Sequence, residues 1–176
     1  MASIALNKPS GGQLILSPED GTSTETVTIP SVGVGKVLQV VNALNATQIA
    51  KSGTVSGEHD LALSATITPL SSTSKILIFT SYQTWVQGST NTTLYGHHRI
   101  KKDGSIISDG QSAETVAGIV GELGWRLTHN WVDTANTTSA ITYSVYYFHD
   151  SPSTVNNLVF HRNNSPATLI LMEVAA

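Results

Sequence analysis

Between Leu61 and Thr68 the chain alternates: Leu61, Leu63, Ala65 and Ile67 fall on one parity, and Ala62, Ser64, Thr66 and Thr68 on the other. A period of two marks a β-strand with one face buried. Pro69 ends the run because it cannot donate to a ladder, a Ser/Thr-rich turn follows, and a second apolar run opens at Lys75. Applied along the whole chain, this pattern predicts strands over 13–17, 24–29, 36–43, 60–68, 74–86, 93–102, 105–108, 124–132, 140–150 and 167–174, with a short one at 155–160. Asp103 and Gly104 between two of them predict a type I′ hairpin turn, since both tolerate the positive φ it needs. Glycines and β-branched residues make 114–123 a poor helix, so an irregular or bulged connection is expected there.

So many strands without helical crossovers exclude a parallel sheet. The expected fold is all-β: an antiparallel two-sheet sandwich or jelly roll over residues 36–176. Residues 1–35 are broken every few positions by Pro or Gly, at Pro9, Gly11, Gly12, Pro18, Gly21, Pro30, Gly33 and Gly35, and read as an extended N-terminal arm with short pairing segments. The last strand departs from alternation. Leu169, Ile170, Leu171 and Met172 place apolar side chains on both faces, whereas a strand in a singly solvated sandwich alternates. These four are therefore candidate subunit-interface residues, with the sandwich core on one side and a second subunit on the other. The arm of the same chain is the alternative cover.

The 176 residues fit one domain. Only 12% are charged, and Ser plus Thr supply about a quarter of the chain. Neutral hydroxyls and amides are cheaper to desolvate than charges, which favours packing against neighbours. A net charge of −3 gives no basic field, so nucleic acid is not an expected partner. The N-terminus lacks a secretory pattern and no window reaches the length of a membrane span, so the chain is expected to stay soluble without membrane insertion.

Chemistry is hard to find in this sequence. The absence of cysteine removes thiol catalysis, disulfides and Cys-based zinc sites. His97 and His98 would point to opposite faces of a strand, and His59, His129, His149 and His161 lack ligand spacing, so the histidines read as residues of strand ends and loops. A metal on a symmetry axis is the one alternative. Glu114 and Glu122 are the nearest approach to a paired-carboxylate site, but no recognised catalytic arrangement surrounds them. The chain is read as a non-enzyme without cofactor. Most aromatics sit at core spacing; Trp85 beside the polar run 87–92, with Gln87 and Asn91, is a candidate exposed recognition loop, which would suit a surface glycan.

Five segments in order resemble virion surface proteins of tailed bacteriophages, particularly those of aquatic and cyanobacterial phages. They are Gly12–Pro30, Lys36–Asn42, Ala65–Ile78 with its Ser/Thr turn, Arg99–Gly104, and Ala167–Val174. The resemblance implies a homotrimeric β-sandwich on the outside of a virion, made in the host cytoplasm. Two roles follow. A capsid decoration (cement) protein would bridge major capsid protein subunits, with Ile4, Leu6, Lys8 and Pro9 of the arm lying along the capsid. A tail-fibre or receptor-binding tip would attach through the arm to another virion protein and turn the 87–92 run toward the host. One arm and one globular domain suit the decoration role better.

Overall fold

The computed structural model describes residues 13–16, 25–28, 36–94, 96–111 and 116–176. Ten strands follow one another: β1 (Gln13–Leu16), β2 (Glu25–Thr28), β3 (Val37–Asn45), β4 (Ile49–Ile67), β5 (Lys75–Leu94), β6 (Gly96–Lys102), β7 (Ser105–Gln111), β8 (Val116–Thr134), β9 (Ile141–Phe160) and β10 (Ala167–Val174), with a 3₁₀ turn at Arg162–Asn164. β1 and β2 pair antiparallel with each other. The remaining eight join in one antiparallel network that folds over into a sandwich. One layer runs β3–β10–β5–β8 and the other β4–β9–β6–β7.

The layers are joined where Thr84–Gln87 of β5 pairs with Asn157–Phe160 of β9. Farther along the same edge of β5, residues 75–81 pair with β10. The end of β9 and all of β10 therefore lie in line, separated by the turn at 161–166. His161, Asn163 and Asn164 in that turn all take positive φ. Asn and His are among the residues that enter this region most readily. His161 N–H donates to the Gln83 carbonyl at 3.1 Å and anchors the turn to β5.

Alternation decides which side chains enter the core. Leu61, Leu63, Ala65 and Ile67 of β4 are buried, as are Ile76 and Ile78 of β5, Tyr143, Val145 and Tyr147 of β9, and Leu169 and Leu171 of β10. Each large apolar side chain removed from water contributes about 1.5–3 kcal/mol. Asp103 and Gly104 adopt φ of 47° and 83°, as a type I′ turn requires.

Several expected boundaries move. β4 begins at Ile49, well before Asp60, and β9 runs through the expected break after residue 150. Both extensions pass glycines or a proline, residues that usually interrupt a strand. They are absorbed as bulges, because register shifts fall between Lys51 and Gly53, between Val55 and Gly57 opposite Pro152, and between Asp60 and Leu63. At the last of these Ala62 takes φ 50°, held by its N–H donating to the Asp60 carboxylate at 2.7 Å. The expected irregular connection at 114–123 is strand from Val116, paired with β5 across shifts at Gly88, Thr92 and Leu94.

The β10 end of the core is closed by a carboxylate. Glu173 is fully buried and accepts hydrogen bonds from Gln39 at 2.6 Å, from Leu70 N–H at 2.8 Å and from Ser71 N–H at 3.4 Å. Burial by itself raises its pKa, but these donors, led by Gln39, outweigh it and hold the carboxyl below its usual value. Glu173→Leu leaves the Leu70 and Ser71 donors without an acceptor, and we expect it to destabilise the domain by about 2 kcal/mol in urea denaturation at pH 7.

Candidate functional site

The outward face of the β3–β10–β5–β8 layer is built by register. Met172 lies opposite Val40 on one side and Leu77 on the other, and Leu77 lies opposite Val132, so one apolar row crosses all four strands. The next row is Asn42, Ile170, Phe79 and Asn130, and the one beyond it Leu44, Thr168, Ser81 and Thr128. Leu44 is 67% exposed, Val40 and Val132 55% each, and Phe79 38%. Met172, Ile170 and Leu77 are half-buried among these neighbours. Toward the β8 edge, Leu77, Phe79, Asn130, Trp131 and Val132 line an open depression of about 340 Å³.

No charged residue occurs in these three rows. Lys75 stands at one limit, bound to the Thr134 hydroxyl, and Arg126 at the other, bound to Ser81 and to the Pro166 carbonyl. The opposite outer face has the reverse chemistry. On the β4–β9–β6–β7 layer Arg99 pairs with Asp109 at 2.8 Å and with Glu58 at 3.6 Å, while Lys101 contacts Glu58. Arg99 lies 3.5 Å from the centre of the Phe148 ring and Lys101 4.2 Å from that of Tyr146. Hydrogen bonding from Arg99, followed by its charge and by contact with His97, keeps the Asp109 carboxyl below its ordinary value. Among the described residues one face is thus a self-satisfied ionic lattice and the other an uncharged, largely apolar surface. Exposed apolar patches of this kind mark contact surfaces.

The four predicted interface residues divide between the two sides of β10. Leu169 and Leu171 are fully buried in the chain's own core, while Ile170 and Met172 stand in the uncharged rows. Their partners Val40, Leu77, Phe79 and Val132 were not singled out from sequence. The signal was available, because Ile76–Phe79 is a second run with both parities apolar, and the argument made for β10 applies to it equally.

The expected recognition loop is a correction. Residues 87–92 belong to β5, and Trp85 is only 8% exposed, with Arg162 stacked 3.7 Å from its ring centre. Gln87 is half-buried and accepts a hydrogen bond from Asn157 at 2.9 Å. β5 pairs with β8 on both sides of a bulge there, at Gly88 with Gly121 and at Thr92 with Ile119. The Asn91 side chain lies outside the described residues, as do Ile4, Leu6, Lys8 and Pro9. The histidines are a second correction: His59, His98 and His149 lie within strands and His161 at the end of β9, all four buried. Strand parity turns them inward. Among the described residues no three His, Asp or Glu side chains form a metal-binding group.

No protein-family model matches the chain, and no curated protein matches it. Solved structures similar to it include that of the infectious bursal disease virus Gt strain, with 14% identity and a TM-score of 0.43 over 99% of this chain and 47% of that one. The VP2 subviral particle of infectious bursal disease virus shares 15% identity over 94% of this chain and 43% of the other, with a TM-score of 0.41. Dimeric latent PorU from Porphyromonas gingivalis is similar over 88% of this chain and 17% of its own, at 10% identity and a TM-score of 0.29. The chain spans less than half the length of the viral chains it matches. Likeness at this distance leaves the functional argument to the faces of the chain itself.

Removing the cover of Trp85 tests its burial. Arg162→Ala deletes the stacked guanidinium and its 3.5 Å contact with Glu122; it is expected to cost about 1 kcal/mol and to raise tryptophan accessibility to a soluble quencher.

Proposed function

We propose that this chain is a non-enzymatic structural protein of a virus particle, a homotrimeric decoration (cement) subunit of a phage head whose copies meet through the uncharged face of the β3–β10–β5–β8 layer. The observation that carries this reading is the apolar row Val40–Met172–Leu77–Val132, flanked by rows of Asn, Thr, Ser and further apolar residues and free of charge. Such a surface is inexpensive to desolvate and presents nothing for an acidic or basic partner to recognise. Around a three-fold axis one edge of this face meets the opposite edge of the next copy's face, both of them uncharged, and closed symmetric association is the usual outcome. The ordered resemblance to phage surface proteins supports the virion setting. Burial of Trp85 under Arg162 weakens the receptor-tip alternative, which used that residue as an exposed platform.

In this reading the face joins the three copies, residues 1–35 serve as the attachment arm through Ile4, Leu6, Lys8 and Pro9, and 36–176 form the globular body. Each trimer bridges capsid subunits and adds binding free energy to the assembled state alone.

Val40→Lys combined with Val132→Lys places charges on two exposed positions while the core is untouched. The parent is expected to sediment as a trimer, and the double variant as a monomer with an unchanged circular dichroism spectrum. A variant that associates like the parent would remove the face from the assembly. Copy number in purified particles tests the role: multiples of three per lattice site, measured by mass spectrometry against the major capsid protein, are expected. A few copies per particle would place the protein in the tail, and none would overturn the virion reading.

A further inference from the structure

A second unusual feature lies inside the sandwich. His59, His98, His149 and His161 are buried and His97 and His129 are half-buried, so all six histidines are partly or wholly withdrawn from water. His59, His98 and His129 gather around one aromatic group near the β5–β9 junction. The His98 ring centre lies 4.8 Å from Tyr82 and 5.8 Å from His129. Tyr82 and Tyr147 lie 6.4 and 5.2 Å from Phe160, and His59 lies 6.2 Å from Phe160 and 6.4 Å from Tyr147. β4, β5, β6, β8 and β9 each contribute a ring.

Hydrogen bonding in this cluster suits neutral imidazoles. His161 Nε2 lies 3.2 Å from the Leu61 carbonyl, which only accepts, so Nε2 carries the proton; Nδ1 is buried and has no hydrogen-bond partner among the described residues. His98 Nε2 lies 3.3 Å from the Tyr82 hydroxyl, and its Nδ1 is likewise buried without a partner. The same holds for His59 Nε2. His129 Nε2 meets the Ser108 hydroxyl at 2.7 Å, and its ring packs so close to β7 that a Cβ on Gly110 would come within 2.7 Å of it. A second proton on any of the first three creates a buried cation with an unsatisfied N–H.

Among the described residues the surrounding charges offer no relief. Lys51 and His149 act on His59, His129 acts on His98, and Arg126 acts on His161, all with the repulsive sign. Among the described residues, the carboxylates of these strands and of β7 are engaged elsewhere: Glu58 and Asp109 with Arg99 on the outer face, Asp60 with the Ala62 amide, Asp133 with Lys102 and Tyr143, and Glu122 with Arg162. Burial pushes the His98 imidazole down to about 4, with His129 adding to the effect. It also lowers His59, His129 and His161, in the last against the hydrogen bond to Leu61.

We propose that this cluster is an acid-sensitive latch: mild acidification opens the sandwich where β4, β5 and β9 meet, and with it the 161–166 turn that holds β10 in place. Because β10 carries Met172 and Ile170, opening would also break up the uncharged face. That consequence for assembly rests on the proposed function; the opening itself does not.

The sign follows from linkage. Histidines that are held neutral in the closed chain and bind protons in the open one leave stability intact above about pH 6.5 and erode it as pH falls toward the depressed values. Each adds up to about tenfold per pH unit to the opening equilibrium, so His98 alone contributes on the order of a hundredfold between pH 6.5 and 4. Asp109 and Glu173, whose carboxyls are also depressed, act in the same sense as the histidines but lose their contribution at lower pH, below about 4.5.

Urea denaturation of the full chain from pH 7.5 to 4.8, with proton uptake measured directly at pH 5.5, tests the latch. Uptake of at least two protons on unfolding is expected, along with a shallower pH dependence in His98→Phe. Uptake below one proton would overturn the proposal even if that variant failed to fold. Sedimentation over the same range separates the two claims. Opening accompanied by dissociation supports both, opening without dissociation ends the link to assembly and leaves the latch, and a chain that stays closed with unchanged stability ends the latch whatever its oligomeric state.

Discussion

Two strands share one edge of β5. Residues 75–81 of that strand pair with β10 and residues 84–87 with the end of β9, and nearly every other feature follows from the need to keep this edge hydrogen-bonded throughout. The chain can leave β9 and re-enter as β10 on the same line only by a compact loop-out. That is why His161, Asn163 and Asn164 adopt left-handed backbone geometry and why the His161 amide is tied to Gln83. The same constraint carries the His161 ring onto the Leu61 carbonyl, where Asn45 of β3 also donates at 3.1 Å. One carbonyl thus collects the turn, β3 and β4.

Register on that edge also creates the uncharged face. With Met172 opposite Leu77, and Ile170 opposite Phe79, the outward parities of both strands fall into rows that Val40 and Val132 extend to the layer's edges. A slip of one residue would send Leu169 and Leu171 outward and Glu173 out of its cage of donors. The interior and the exterior of this layer are therefore specified together, and the core carboxylate fixes the register of both.

The two outer faces show how a chain with few charges places them. Arg99, Lys101, Glu58 and Asp109 neutralise one another on the β4–β9–β6–β7 layer, over Phe148 and Tyr146. Exposed ion pairs of this kind contribute little to stability. Their effect is on specificity, since a face whose charges are already paired has little to offer a partner.

Some of this could be read directly from residues. Alternation at 61–67 identifies the inward set of β4, Asp103-Gly104 specifies its turn, and the unbroken apolar run at 169–172 identifies a strand with apolar side chains on both faces, because each depends on neighbours a few positions apart. At Gly53, Gly57 and Pro152 pairing overrides local preference: a breaker ends an isolated strand, but a long ladder on both sides absorbs it as a bulge. The burial of Trp85 depended on Arg162, and the histidine cluster on five strands distant in sequence. Sequence by itself determined the all-β class, the hairpin and the inward parity of the strands, since backbone sterics and a period of two act locally. Only the tertiary structure decided which apolar rows align across four strands and which histidines meet, because register and the shared edge of β5 are properties of pairing between segments far apart in the chain.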